Sequence, residues 1–551
     1  MQHKNKKFIY SVLAVFCAAS IVTSCIGDLD VTPRDPNITQ EFHQDGVFAR
    51  IYASLALTGQ RGPDGEGDIE GIDEGTSCFV RMIWNLNTIT TDEAICAWLG
   101  DPSIGDLNSN QWDAMNGLIG GLFARLYINI AFCNHFLEMT EGLTDERTRR
   151  QRAEVRFIRA LNWFYLMDMF GDVVFVDRVI TDGSLPERIS RADLFDYILQ
   201  ELSEIENDMY APRQAPRYRA DQAANWLLRS RILLNAEIYT GTPRWTEAAA
   251  YAQRVMNSAY ELAPVFAHLF MADNDGSGTV NTAYREIIFP IAQHGQRIRS
   301  WGASTFLIAS TRVGGMPASG STEGWAGNRA RAALINKFFP GDIPDEAFIA
   351  WLKDEDGEFV EDDNGELIGI ITGGTDARAM FYVNPTTRTR TIRGGNPSGV
   401  GDFTQGYSVI KFSNLRADGG PTSDPLHADM DVPFFRLAEA YLTFAEATLR
   451  AGGDAGAALN AVNALRRRAN ATEFTVLSLD MVLDEKAREF FFEGQRRTDL
   501  IRFGRFTGGD YIWDWKGGVE HGTSISSHLN VFPIPAGQLL ANPNLRQNLG
   551  Y

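Results

Sequence analysis

Three tryptophans stand where a tryptophan has little local apolar company. Trp98 lies in TDEAICAWLGD (residues 91–101), Trp301 in RSWGAST and Trp325 in STEGWAGN. A flat indole face can stack on the apolar face of a pyranose ring, while nearby Asn, Asp or Arg side chains bond its hydroxyls. Ligand sites of that kind are mostly apolar with a few placed polar groups. Two roles stay open for each ring here: packing in a core, or display to a ligand. Trp163 and Trp226 fall inside helical apolar patterns and read as core.

The 70 acidic residues offer a second chemistry. ADNDGSG (272–278) begins like a calcium loop with Asp273 and Asp275. Its twelfth position is Tyr284, where an EF-hand needs a bidentate Glu. A second acidic pair, Asp429 and Asp431, sits in HADMDVP. Oxygens from both segments could converge on Ca²⁺, or all could be solvated turn residues. Catalytic signatures are missing from the sequence: there is no GxxxxGK[ST], HExxH, GxSxG or CxxC, and no two of the eight histidines stand at i, i+4. A glycosidase pair is a matter of ~5–10 Å in space, and the sequence nominates none. The chain reads as a binding protein and not an enzyme.

Composition bounds the rest. With 44% hydrophobic and 22% charged residues, the chain is ordinary globular protein. Its formal charge of −19 argues against nucleic acid, whose backbone needs a basic partner surface. At the N-terminus Lys4, Lys6 and Lys7 precede an apolar run too short to span a bilayer, and the run ends in VTSC. This predicts a lipoprotein signal over 1–24, with Cys25 lipidated as the first mature residue. Loss of three lysines and no acids takes the charge to −22. Cys78, Cys96 and Cys133 remain, enough for one disulfide at most. No other apolar run reads as a membrane span, so the lipid is the expected attachment.

The elements that must position these residues are mainly helical. Apolar spacing predicts helices over 41–57, 111–139 (Leu118, Leu122, Leu126, Ile130), 149–170, 191–207, 220–239, 246–256 and 483–506. Residues 234–257 and 443–466 align without a gap at an offset of 209, matching Ala248 and Ala249 to Ala457 and Ala458, and Ala252 to Ala461. Each unit reads as two helices joined by a tight turn, with small residues allowing close approach. That is the logic of tetratricopeptide-type hairpins. Between the units, residues 264–430 are rich in Gly, Pro and β-prone pieces such as REIIFPIA and GYSVIKF. The expected architecture is mainly α: a single domain over 25–551, a helical hairpin scaffold with long irregular loops and small β elements.

Several of these stretches together resemble the SusD/RagB family of outer-membrane lipoproteins. They are the lipoprotein start, RAEVRFIRALNWFYLMDMFGD (152–172), FFRLAEAYLTFAEATLRAGGD (434–454), AREFFFEGQRRTDLIRFGRF (487–506) and the ending NPNLRQNLGY. GVFARIYASLALTGQRG, FMADND, TRVGGMP and IWDWKGG look closer still to starch-binding members. The resemblance implies a single α-rich fold on four tetratricopeptide-like hairpins. It implies a surface-exposed, non-catalytic receptor for starch or malto-oligosaccharides, docked on a SusC-like TonB-dependent transporter. The positions matching the family's aromatic arc are Trp98, Trp301 and Trp325, with Arg81 and Asp101 matching polar residues that bond the sugar. Three departures stand out. Cys96 falls where the arc has another aromatic, Asp101 where an amide is expected, and Trp301 where a tyrosine is expected. The resemblance also favours Asp273, Asp429 and Asp431 as calcium ligands. A receptor for a different glycan, a surface glycosidase, and an assembly role with a decayed glycan site are the rival readings.

Overall fold

Short polar side chains cap the start of six of the longer helices. Asn116, Asp145, Ser190, Asp221, Asp454 and Ser478 each accept a hydrogen bond from a backbone N–H of the first turn that follows. Each such cap contributes roughly 1 kcal/mol. The computed structural model describes residues 42–313, 316–339, 349–351, 369–373, 376–383, 399–403 and 405–551. The expected signal over 1–24, the lipidation site Cys25 and the tether to residue 41 lie outside them. The chain runs through α1 (Gln44–Ala53), α2 (Phe79–Trp84), β1 (Ala94–Cys96), α3 (Gly117–Met139) and α4 (Glu146–Phe170). It continues through α5 (Arg191–Ile205), α6 (Gln222–Leu234), α7 (Trp245–Met256), β2 (Ile287–Ile291), α8 (Ser304–Ala309) and β3 (Asn328–Ala330). β4 (Val432–Arg436), α9 (Leu437–Arg450), α10 (Ala455–Arg468), α11 (Leu479–Phe490) and α12 (Arg496–Arg502) follow, with shorter helices and strands between and after these elements.

The scaffold is mainly helical, as expected. α3 packs on α4 and α4 on α5; α7 packs on both α6 and α9, and α9 on α10. The two alanine-rich hairpins thus stack through α7 and α9. Ala248, Ala252, Ala458 and Ala461 are buried where these helices meet, and their small side chains let the backbones come close. Leu118, Leu122, Leu126 and Ile130 form the buried stripe of α3, and Trp163 is fully buried in α4. Trp226 is half-buried under the Arg254 guanidinium, 4.2 Å from its ring.

Four expectations need correction. α3 is long and apolar enough to cross a membrane, although no such run was expected beyond the leader; 61% of its most apolar window is buried inside the fold, and it carries the buried Arg125 and Asn129. It also starts at Gly117, not 111, because Asn116 caps it. The helix expected over 220–239 breaks at Asn235, whose side chain donates back to the Arg231 carbonyl. The helix expected over 483–506 breaks between α11 and α12. There Phe492 (φ 62°) and Gly494 (φ 73°) adopt left-handed backbone. Phe492 donates its N–H to the Glu93 carboxyl, and its carbonyl accepts from the Trp84 indole at 2.9 Å. Periodicity continues through this break; only the partners from elsewhere in the chain reveal it.

The strands are short. β1 pairs antiparallel with β3 (Cys96 opposite Asn328), and β4 with β2 (Val432 opposite Ile291). Ile349–Trp351, Gly369–Gly373, Asp376–Val383 and Ser408–Val409 form a four-stranded antiparallel sheet. The three described cysteines are buried free thiols.

Buried charge ties loops to scaffold. Arg436 bridges Glu286, Glu489 and Glu493, while Arg468 and Arg378 also reach Glu489. Across the α11–α12 break, Arg496 makes a two-pronged bond to Asp92 at 2.8 Å, and the Tyr511 hydroxyl donates to the same carboxylate. Burial alone would raise the Asp92 pKa; Arg496 overcomes it and holds the group well below the usual carboxylate range. For the adjacent Glu93 burial wins and pushes the carboxyl up to about 8.

The two acids therefore have opposite signs. Stability linked to Glu93 is present below its unfolded value of 4.5 and is lost as pH rises through about 8. Glu93→Gln should flatten the fall in thermal midpoint between about pH 5 and pH 8. Asp92→Asn should cost about 3–5 kcal/mol at neutral pH, because it deprives buried Arg496 of its partner carboxylate. Thermal melts across pH check both; a Glu93→Gln profile parallel to that of the parent chain refutes the first.

Candidate functional site

Trp98 reaches the surface because the chain leaves β1 immediately before it. Cys96 is the last paired residue, with its backbone clamped by the Asn108 amide at 2.9 and 2.8 Å. Two residues later the indole lies over Gly327, just before β3. A Cβ there would fall 2.0 Å from Trp98 Cε2, so only glycine permits the contact. The Trp98 Nε1 donates to the Trp325 carbonyl at 3.3 Å. Trp325 is fixed in turn by its indole N–H on Glu323 (2.7 Å) and its backbone N–H on the Ala309 carbonyl at the end of α8.

Trp301 is set by a different close approach. Its backbone N–H donates to Glu74 at 3.0 Å, and Gly75 passes so near that a Cβ would lie 2.6 Å from the Trp301 Cβ. The buried ring of His427 backs it, with centroids 4.5 Å apart. Burial and Arg299 lower the His427 pKa, which keeps this backing neutral.

The three indoles form one row. Trp98 and Trp325 have centroids 6.4 Å apart and planes at 57°; Trp325 and Trp301 are 6.1 Å apart at 51°. All three are half-buried, each keeping part of its surface open. They line a shallow cleft of about 590 Å³ together with Arg81, Asp101, Asp73, Glu74 and Glu66. Arg81, on α2, lies 5.7 Å from the Trp98 ring and 4.7 Å from Phe306. Among the described residues it makes no ion pair, and its Nε is buried without a hydrogen-bond partner. Asp101 is exposed and its N–H donates to the Trp98 carbonyl. The cleft thus presents stacking faces, one guanidinium and several carboxylates.

The structure brings together Arg81, Trp98, Asp101, Trp301 and Trp325, separated by up to 244 positions in sequence. It places Cys96 elsewhere. The thiol is fully buried behind β1, and burial pushes it up to about 12, so this position offers the cleft no surface. The sequence reading missed Asp73, Glu74 and Glu66. They come from GQRGPDGEGDIEGIDEG (59–75), a Gly- and Asp-rich stretch that holds little regular structure. Loops on a rigid scaffold are where ligands are bound, and that was the available signal.

The three acids expected to hold calcium are used as loop anchors. Asp273 accepts from Asn281 and Ala417, Asp429 from Gly295 and Ser423, and Asp431 from Gln293, at 2.6 to 3.1 Å. Among the described residues no group of three or more His, Cys, Asp or Glu is arranged to hold a metal ion.

Comparison with known proteins fits this architecture. Residues 285–551 match the SusD family, and residues 81–255 match a family described as starch-binding and associating with the outer membrane. The starch-binding protein SusD of Bacteroides thetaiotaomicron is 44% identical over the full length of both chains. This chain belongs to the SusD family. A SusD-like protein P2 of Formosa agariphila is 21% identical, covering 79% of this chain and 80% of its own. Two solved structures share the fold. A SusD-like protein of Bacteroides fragilis has a TM-score of 0.66 at 19% identity, covering 95% of this chain and all of its own. Surface glycan-binding protein A of B. thetaiotaomicron, in complex with laminarihexaose, has a TM-score of 0.63 at 18% identity, covering 92% and 99%.

Gly327→Ala should drive the Trp98 indole off its seat and break its bond to the Trp325 carbonyl, costing about 1–3 kcal/mol as other forced contacts do. A crystal structure of the variant checks it; an unmoved indole refutes the requirement.

Proposed function

We propose that this chain is a cell-surface lipoprotein, anchored to the outer membrane through Cys25. In this reading it binds starch and malto-oligosaccharides without cleaving them and delivers them to a SusC-like TonB-dependent transporter. The observation that carries the reading is the row of three indoles. Successive planes are tilted by 57° and 51°, so the three faces are not coplanar and suit a chain of sugar rings that bends across them. An α-glucan curves in that way. Full-length likeness to a starch-binding protein supports the same ligand class. Arg81 and Asp101, with Asp73 beside them, supply donors and acceptors for the hydroxyls of a ring stacked on Trp98.

A different glycan is the second reading. Cys96 lies in the interior and Asp101 offers acceptors only, so the cleft has three platforms and an acidic edge. Native affinity gels separate the two. Amylopectin should retard the soluble chain beginning after Cys25. Trp301→Ala and Trp325→Ala should each lose about 1–3 kcal/mol of binding, the usual worth of an aromatic platform. Unretarded migration in amylopectin together with retardation in laminarin transfers the role to a β-glucan. Maltoheptaose left intact after long incubation is the expected outcome for a receptor; release of shorter sugars refutes it.

A further inference from the structure

The wall of the tryptophan cleft is acidic. Glu66, Asp73, Glu74 and Asp101 line it against a single guanidinium, Arg81. Glu66, Asp73 and Asp101 are exposed, and among the described residues none of these carboxyls enters an ion pair. Burial lowers the Arg81 pKa while Asp73 and Asp101 oppose that lowering, so the one cation already faces two acids. No neighbouring guanidinium lines the cleft: Arg299 pairs with Asp64, Arg312 donates to the Pro317 carbonyl, and Arg61 is exposed beside Gly65. Glu323 places a further carboxylate at the edge of Trp325, on its indole N–H.

A buried acceptor in the same wall says what the ligand must offer. Glu74 is 5% exposed. Its Oε2 accepts the Trp301 N–H, and its Oε1 is buried with no hydrogen-bond partner among the described residues. A buried acceptor left unmet is costly, and an ionised carboxyl can only accept. A sugar hydroxyl or a protonated amine can donate to it. A carboxylate or sulfate on a glycan cannot, and it would also stand among like charges. The Arg81 Nε, likewise buried and without a partner, needs an acceptor. Hydroxyls both donate and accept, so a neutral sugar can serve both atoms.

We propose that Glu66, Asp73, Glu74 and Asp101 make the cleft a charge filter, which turns away glycans bearing carboxylate or sulfate groups and admits neutral or amine-bearing ones. The inference rests on the reading of the cleft as a glycan site and adds the residues that select among glycans. The tryptophans supply faces that any pyranose can use, so they do not discriminate by charge. The carboxyls do, and they act at short range, because the screening length at physiological salt is about 8 Å.

Hydroxyethyl-, carboxymethyl- and aminoethyl-amylopectin, at equal substitution, separate charge from bulk. Titration calorimetry on the soluble chain beginning after Cys25 should rank aminoethyl first, hydroxyethyl second and carboxymethyl last, the last about tenfold weaker than the second at low salt. That ratio should shrink towards one in about 1 M NaCl, where the screening length is about 3 Å. It should shrink as well in the Glu66→Gln, Asp73→Asn, Asp101→Asn triple variant, and by a smaller step in Glu66→Gln alone. It should hold in Glu138→Gln, Glu141→Gln, Glu237→Gln, which removes as many charges from exposed positions outside the cleft. The ratio is the readout, so a general loss of affinity in the rim variants does not mask the result. Equal affinity for the hydroxyethyl and carboxymethyl forms overturns the filter, as does a ratio lowered equally by the distant triple. Failure of unmodified amylopectin to bind overturns the α-glucan reading itself, and the filter falls with it.

Discussion

The buried pairing of Asp92 with Arg496 is the constraint on which the position of the cleft depends. The two residues lie 404 positions apart. They lock the segment that becomes β1 against the break between α11 and α12. Such a pair is held by geometry more than by net stabilisation, since desolvating both charges offsets much of their attraction. Here the geometry is complete: two bonds from the guanidinium, a third from the Tyr511 hydroxyl, and Glu93 alongside receiving the Phe492 N–H. Beyond that anchor β1 pairs with β3, and Trp98 emerges six residues after Asp92 at one end of the cleft.

The same logic recurs with Arg436, Arg468 and Arg378 around Glu489. The strand pair β2–β4 enters the helical stack beside these groups, and Arg436 is the last residue of β4. A chain with long irregular loops has few regular ladders to fix them. Buried guanidiniums take that role, because each offers five donors in a rigid fork that can bind several chain segments at once.

At the cleft, close packing of backbone does comparable work. Gly327 and Gly75 allow ring and chain to approach more closely than any side chain would permit. The indoles are therefore seated before a ligand arrives, with Glu323 and His427 fixing their rotation. Preorganised faces lose little freedom on binding, which suits the glycan binding proposed for this cleft.

Much of this was legible from residues alone. The i, i+4 leucines gave α3, the alanine-rich pair gave the stacked hairpins, and glycine-flanked tryptophans marked three of the rings that line the cleft. These signals are local, since periodicity and small-residue spacing follow from helix geometry. What the sequence could not supply was convergence. The helix over 483–506 keeps its apolar period across a break made by Glu93 and Trp84, which lie some 400 residues earlier. Cys96 stands two residues from Trp98 yet is buried, because it belongs to β1, whose residues are all covered, while Trp98 lies beyond the strand. Asp73 and Glu74 join the cleft only when the Gly-rich loop folds over Trp301. By itself the sequence determined the helical scaffold and the residue types able to stack on a sugar. The tertiary structure alone decided which of them share one surface, because that surface is made by contacts between segments whose spacing along the chain carries no periodic signal.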